Sequence, residues 1–300
     1  MEKPFILHLI TPTPNASPFD VNMAYDAGYD AVATYSGVAL DQVAALIQDA
    51  IFSRGPNGVK RTGVFIGGRE IGLAADMLEA ARGAMVPPFE VSVFADPSGA
   101  FTTAAAMVAA VEAALKRTHD KKLADCSVAV LGGTGPVGAA AAVLAAGAGA
   151  KVWIASHTSA DRARMTSEVS NARYSVSTQA ADASSATQKA ELIEQADVIM
   201  SSAKAGVQVL SAAELAKASR LLVAADVNAV PPAGIEGVGV MDNGTALKAA
   251  SGKTLGIGAL AIGNVKYQVQ RRLFESMLRA DKPLYLDFRD AFSEARRLVA

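Results

Sequence analysis

Cysteine is almost absent from this 300-residue chain: Cys126 stands alone, so no intrachain disulfide framework is available and a reducing compartment is expected. Its position just before an apolar run points to packing rather than chemistry. Histidine is nearly as scarce. His8, His119 and His157 fall at no metal-ligand spacing and no Cys/His cluster accompanies them, so no metal site is expected. A Gly-x-Ser-x-Gly elbow is also missing, which removes the sequence signature of Ser-His-Asp catalysis. Charge of either sign is not in excess: the formal net charge is −1 and there is no basic run, which argues against nucleic acid or an anionic membrane surface as partner. The longest apolar stretch, Ala139 to Ala150, is mostly alanine and glycine and too short to span a bilayer, and the start, with Glu2, Lys3 and Pro4, lacks the apolar core of a signal peptide. These absences predict a soluble, cytoplasmic protein that handles a small molecule, with a cofactor supplying most of the chemistry.

What is present is glycine at a telling spacing. The apolar run Ser127 to Leu131 leads into Gly132-Gly133-Thr134-Gly135-Pro136-Val137-Gly138, then into an alanine-rich helical stretch and a second apolar run, Lys151 to Ala155. Strand, turn, helix and strand are the context a Gly-x-Gly-x-x-Gly dinucleotide fingerprint requires, and it falls on Gly133, Gly135 and Gly138. Gly133 is expected to make the tight turn, Gly135 to let backbone amides approach a pyrophosphate, and Gly138 to let helix and strand pack closely. The helix N-terminus, with Thr134, Pro136 and Val137 around it, then offers orphan amides to the phosphates. A plain βαβ turn is the bland alternative. An NAD-selective site carries an acid at the end of the second strand, but here that end reads Ser156-His157-Thr158-Ser159, with no carboxylate before Asp161. Hydroxyls there, with Arg162 or Arg164 beyond them, can serve a 2′-phosphate, so NADP is favoured and NAD is not excluded; a solvated helix face explains the arginines equally well.

Strand-like and helix-like runs alternate almost throughout, which predicts an α/β protein of two domains. Phe5 to Ile10, Ala31 to Thr34, Thr62 to Ile66 and Val91 to Phe94 read as strands, separated by helices over Asp20 to Ala27, Leu40 to Phe52 and Glu70 to Gly83. A helix over Thr102 to Arg117 runs into the polar stretch His119 to Lys122, read as a linker. A Rossmann-type doubly wound parallel sheet follows, with further strands near Tyr174 to Ser177, Asp197 to Ser201 and Leu221 to Ala225. The expected division is residues 1–118 as an N-terminal α/β domain, completed by 268–300, and residues 119–267 as the nucleotide domain.

Four loops carry compositions that are costly for a purely structural role: Ser17 to Asp20, Phe94 to Thr103, Asp226 to Gly234, and Gly256 to Lys266. The first two are strand-to-helix turns in which Ser17, Asp20 or Thr102 can simply cap a helix. The third ends a parallel strand where a nicotinamide should lie, near Ala203, and brings Asp226 and Asn228 to that edge. The fourth delivers Lys266 at the start of a helix, where the dipole disfavours a cation.

With these segments, Gln48-Asp49-Ala50-Ile51-Phe52-Ser53-Arg54 and Phe65-Ile66-Gly67-Gly68, the chain resembles the bacterial NAD(P)-dependent methylene-tetrahydromethanopterin dehydrogenases of one-carbon (formaldehyde) oxidation, over nearly its whole length. The resemblance implies a two-domain subunit with an interdomain cleft, a pterin held by the first domain, NADP or NAD as cofactor, and a homo-oligomer, trimeric or larger. It implies pterin contacts from Phe19, Asp96, Ser98, Thr102 and Thr103, and catalytic roles for Asp20 and Lys266. Oxidising a methylene bridge between two nitrogens needs only hydride departure, so scarce histidine is no obstacle; orientation matters most, and a carboxylate such as Asp20 or Asp96 can stabilise the nascent cation. A charged lysine opposes that cation, so Lys266 is expected to be neutral or paired with a carboxylate and to position the pterin. The alternatives are a monofunctional methylene-tetrahydrofolate dehydrogenase and a non-catalytic NADP-binding sensor. No tyrosine is followed four residues later by lysine, which argues against a methenyl-hydrolysing second activity.

Overall fold

A strand inside a parallel sheet is covered on both faces, so its sequence must be apolar without alternation. Thr62–Ile66 and Ser127–Leu131 meet that condition, and every residue of both strands is buried. The computed structural model describes residues 3–300. Its first elements are β1 (Ile6–Thr11), α1 (Pro18–Asp26), β2 (Ala31–Ser36), α2 (Val43–Phe52), α3 (Gly55–Val59), β3 (Thr62–Ile66), α4 (Ile71–Gly83), β4 (Ser92–Ala95) and α5 (Ala100–Ala114). Then come β5 (Ser127–Leu131), α6 (Pro136–Gly147), β6 (Lys151–Ser156), α7 (Ala160–Tyr174), β7 (Thr178–Asp182), α8 (Ala186–Gln195) and β8 (Val198–Ser201). The chain ends with α9 (Ala212–Leu215), β9 (Val223–Asp226), β10 (Asn243–Ala246), β11 (Leu255–Ile257), α10 (Ala259–Arg279), β12 (Tyr285–Leu286) and α11 (Phe288–Val299).

Two compact units result. The first comprises residues 1–102 and 267–294, the second 103–266 and 295–300. The first unit holds a five-stranded sheet in the order β12-β4-β3-β1-β2, parallel throughout. Its core contains Phe65, Phe94 and Phe274, whose rings meet pairwise at 5.2 to 5.4 Å. The second holds a seven-stranded sheet, β10-β11-β9-β8-β5-β6-β7, parallel except for the β10–β11 pair. Read from β7, its six parallel strands β7-β6-β5-β8-β9-β11 follow the doubly wound 3-2-1-4-5-6 arrangement, whose direction reverses between β5 and β8, and the antiparallel β10 is added at the far edge. The first sheet reverses between β1 and β3 in the same way. Ligands of such sheets bind at the carboxyl ends of the strands flanking the reversal.

The unit boundary falls at 102/103, inside the run of α5, and not at the polar stretch His119 to Lys122. Leu115–His119 continues the helix as a wide π turn, ended by the left-handed Asp120 (φ 50°). The return is at 266/267, inside α10. By length and composition the segment Pro97–His119 is apolar enough to cross a bilayer, longer than the run from Ala139, yet most of it is buried in the fold, as in a core helix. The strand expected near Tyr174 is displaced. Helix α7 runs through Tyr174, Ser175 turns left-handed (φ 54°), and β7 begins at Thr178. The Asn171 carboxamide fixes that start, accepting from the Thr178 amide at 2.7 Å and donating to its carbonyl at 3.0 Å.

Candidate active site

In the second unit the glycine turn sits at the carboxyl end of β5, beside the loop that leaves β8. Gly132 carries the left-handed conformation (φ 77°), and a Cβ there would lie 2.8 Å from the Ala203 amide nitrogen. The tight turn therefore belongs to Gly132, one residue earlier than the fingerprint spacing suggested. Gly133 serves packing, since its Cβ would meet the Val130 carbonyl at 2.8 Å and Ile154 at 3.0 Å. Gly138 is the most confined of the three: a Cβ would lie 2.5 Å from Ser202 Oγ and 2.6 Å from the Gly132 carbonyl. Ser202, which the sequence did not single out, ties the two loops by donating to the Gly132 carbonyl at 3.2 Å.

This turn fits a pyrophosphate. No side chain caps α6, Gly135 is its N-cap and Pro136 stands in its first turn. Among the described residues the amides of Thr134, Val137 and Gly138 donate to no protein acceptor. Such amides at a helix N-terminus form an anion site ready for phosphate oxygens.

At the end of β6, Ser156 is buried and its hydroxyl accepts from the amides of Thr158 and Ser159, both at 3.3 Å, while meeting Thr158 Oγ1 at 3.1 Å. It therefore shapes the loop, leaving the exposed His157 and Thr158 to face a ligand. Ser159 caps α7 through the Arg162 amide. Arg164 is occupied by Asp161 at 3.2 Å and Glu168 at 3.1 Å. No acceptor among the described residues holds the Arg162 guanidinium.

Asp226 and Asn228, expected as cofactor contacts, commit their polar atoms to their own loop. Asp226 accepts from the Asn228 amide at 3.1 Å and the Ile235 amide at 3.0 Å. Asn228 Oδ1 accepts from the amides of Gly206 and Val230, and Nδ2 donates to the Pro232 carbonyl at 2.8 Å. They fix the edge beside Ala203 rather than offering side chains to it. Cys126 is buried, and burial, then the Asp197 carboxylate, pushes its thiol up to about 11.

In the first unit the loops after β1, β3 and β4 meet at the reversal. The Gly67 amide donates to the Ile10 carbonyl at 2.9 Å, and Ser98 Oγ donates to the Gly68 carbonyl at 2.7 Å. Ser98 is left-handed (φ 53°) and exposed. Asp96 is fully buried and acts largely as a cap. Its Oδ1 accepts from the amides of Phe101 at 2.9 Å and Thr102 at 3.2 Å, and Oδ2 from Thr102 Oγ1 at 2.6 Å. Asp96 and the equally buried Thr102 thus hold the loop that presents Ser98. Thr103 is half-buried and lies just past the unit boundary.

Phe19 and Asp20 open α1. Phe19 is 45% exposed, whereas Asp20 is buried and accepts from Gln270 Nε2 at 3.0 Å. Gln270 was not legible as a site residue; only its spacing four residues after Lys266 on α10 puts the two on one helix face. Lys266 is half-buried in the third turn of α10, past the range over which the helix N-terminus opposes a cation.

Residues 18–98 match the family described as methylene-tetrahydromethanopterin dehydrogenase, N-terminal. Over 290 residues the chain is 48% identical to the NAD(P)-dependent methylenetetrahydromethanopterin dehydrogenase of Methylorubrum extorquens, covering 97% of each chain. It is 35% identical over 265 residues to the bifunctional protein MdtA of the same organism, covering 87% of this chain and 88% of that one. Among solved structures, shikimate 5-dehydrogenase of Listeria monocytogenes in complex with shikimate and NAD aligns with a TM-score of 0.52 at 15% identity, covering 93% of this chain and 92% of that one, a likeness of fold alone.

Proposed function

Because the chain belongs to the methylene-tetrahydromethanopterin dehydrogenase family, we propose that it oxidises methylene-tetrahydromethanopterin to the methenyl form with NAD(P)+. The observation that carries this reading is the 48% identity sustained over 97% of the chain. NAD(P)+ supplies the hydride acceptor. The amides at the start of α6 hold its pyrophosphate, Gly132 and Gly138 let the β5 and β8 loops close under it, and the Asp226–Asn228 loop keeps the nicotinamide edge rigid. His157, Thr158 and Arg162 face the adenosine ribose.

Phe19 offers a ring face to the pterin, and Ser98 is presented by the capped Asp96 loop. The Asp20 carboxylate, kept in place by Gln270, stabilises positive charge as the hydride leaves, which in a dry site is worth far more than in water. Lys266 positions the pterin. No side chain has to remove a proton, because the methylene carbon loses only a hydride and the flanking nitrogens share the resulting charge. A homo-oligomer, trimeric or larger, agrees with the half-covered strand β2 and with Tyr25 and Phe52, each 50% exposed or more. The single buried cysteine suits a cytoplasmic setting.

The role of Lys266 is tested by Lys266→Met and Lys266→Ala. Both are expected to raise KM for the pterin and lower turnover, while leaving NADPH binding, read by nucleotide fluorescence, as in the parent. Unchanged kinetics in both variants would remove Lys266 from the site.

A further inference from the structure

An acid at the end of the second strand of the nucleotide unit normally accepts the ribose 2′-hydroxyl of NAD. Here β6 ends in Ser156, whose hydroxyl is buried in its own loop. The ladder places Asp182, the last residue of β7, directly beside Ser156. Paired strands lie about 5 Å apart, so a carboxylate stands one strand over from the position where it is missing. Its orientation is fixed: Oδ1 accepts from the Ser184 amide at 2.9 Å and Oδ2 from Gln188 Nε2 at 3.2 Å. The Ser184 bonds, more than that of Gln188, hold the carboxyl below the usual carboxylate range, so it is anionic at neutral pH. Arg162 follows the same loop near the start of α7, where its backbone amide donates to the Ser159 cap, while its neighbour Arg164 is locked between Asp161 and Glu168.

Given the NAD(P) reading above, on which the inference rests, we propose that Asp182, on the strand beside the end of β6, and Arg162, on the helix that follows it, together set the cofactor choice at the Ser156–Thr158 loop. Asp182 accepts the 2′-hydroxyl of NAD, and Arg162 pairs with the 2′-phosphate of NADP. One selector at the end of β6 would force a choice; an acid and a cation placed apart admit both nucleotides. The two charges also act with opposite sign on the phosphate, since Asp182 repels what Arg162 attracts. Removing either side chain must therefore move the preference in opposite directions, which a role in folding alone would not do.

The test is direct binding of NADH and NADPH, followed by nucleotide fluorescence, with no pterin present. Asp182→Asn keeps an oxygen for the Ser184 amide and is expected to weaken NADH and tighten NADPH, shifting their ratio of dissociation constants about tenfold. Arg162→Ala, on an exposed helix surface, is expected to weaken NADPH about tenfold and leave NADH within about twofold. Melting temperatures of the nucleotide-free variants control for folding. An unchanged ratio in both folded variants overturns the proposal, as does an equal loss of both nucleotides in Asp182→Asn. If the parent protein binds neither nucleotide, the nucleotide reading of the glycine turn itself falls, a result separate from the other two.

Discussion

At Gly138 a single methyl group would meet Ser202 Oγ, the Gly132 carbonyl and the Gly133 Cα at 2.5 to 2.7 Å, and two of those three atoms are backbone that cannot swing away. Gly138→Ala is expected to push α6 off the turn, costing about 1–3 kcal/mol, as overpacking does, and weakening NADPH binding in a fluorescence titration. Gly147, the last residue of the same helix, has nothing within 4 Å of its would-be Cβ. There the same substitution is expected to raise stability by about 0.5 kcal/mol through the entropy glycine loses on folding. A melting experiment on the two variants reads opposite signs from identical chemistry. Asp197 gives the pH dependence. Burial pushes its carboxyl up, but bonds from the Ser127 amide and hydroxyl and from Arg220 outweigh it and hold the group below its usual value. A depressed folded value adds stability above the unfolded value, about 3.9, and that stability is lost as pH falls through the folded one. Asp197→Asn is expected to cost about 1–2 kcal/mol at neutral pH, and the gap from the parent in urea melts is expected to close below about pH 4. The glycine spacing was readable in the sequence because sterics act within seven residues. The partners of Asp96, Asp226 and Asn228 were not, because nothing in a residue's type tells whether its polar atoms face a ligand or its own loop.

Elements that are buried on all sides announced themselves by composition. Helix α6 is alanine-rich because every residue from Gly138 to Ala145 is buried, and only small side chains let it lie close to β5 and β6. The central strands β3 and β5 were equally plain as apolar runs. Strand β7 was misplaced by a few residues, since the side chain that starts it, Asn171, belongs to the preceding helix. Strands β10, β11 and β12 went unseen: they have two to four residues each and depend on neighbours far along the chain, β11 on β9 and β12 on β4. Helices α1 and α10 are joined by the Gln270–Asp20 hydrogen bond, some 250 residues apart in sequence. Gln270→Leu removes a donor from a buried carboxylate oxygen and is expected to cost about 1–3 kcal/mol. If Asp20 stabilises the cation as proposed, turnover should fall with it; a variant that melts earlier yet turns over normally would confine Gln270 to folding.

Over the whole molecule, the alternation of strand and helix foretold two parallel sheets, and the strand orders place a reversal in each. The boundary between the units was harder to see. The chain leaves the first unit within the run of α5, returns within α10 and leaves again within α11, so no proline-, glycine- or serine-rich linker marks any of the crossings. The polar stretch after α5 reads as a linker because it is hydrophilic, yet it closes a helix inside the second unit. Substrate and cofactor classes were legible from ordered motifs along the whole length, and 48% identity over 97% of the chain to the Methylorubrum enzyme agrees with them. Hydride transfer from the pterin to the nicotinamide is measured by following the transferred atom itself. Methylene-tetrahydromethanopterin deuterated at the bridging carbon is mixed with the protein and NADP+ or NAD+, and both products are weighed by mass spectrometry. Deuterium is expected in the reduced nicotinamide, together with an equal amount of methenyl-tetrahydromethanopterin. Reduced nicotinamide without the label, or no reduction while the nucleotide binds, would contradict that transfer.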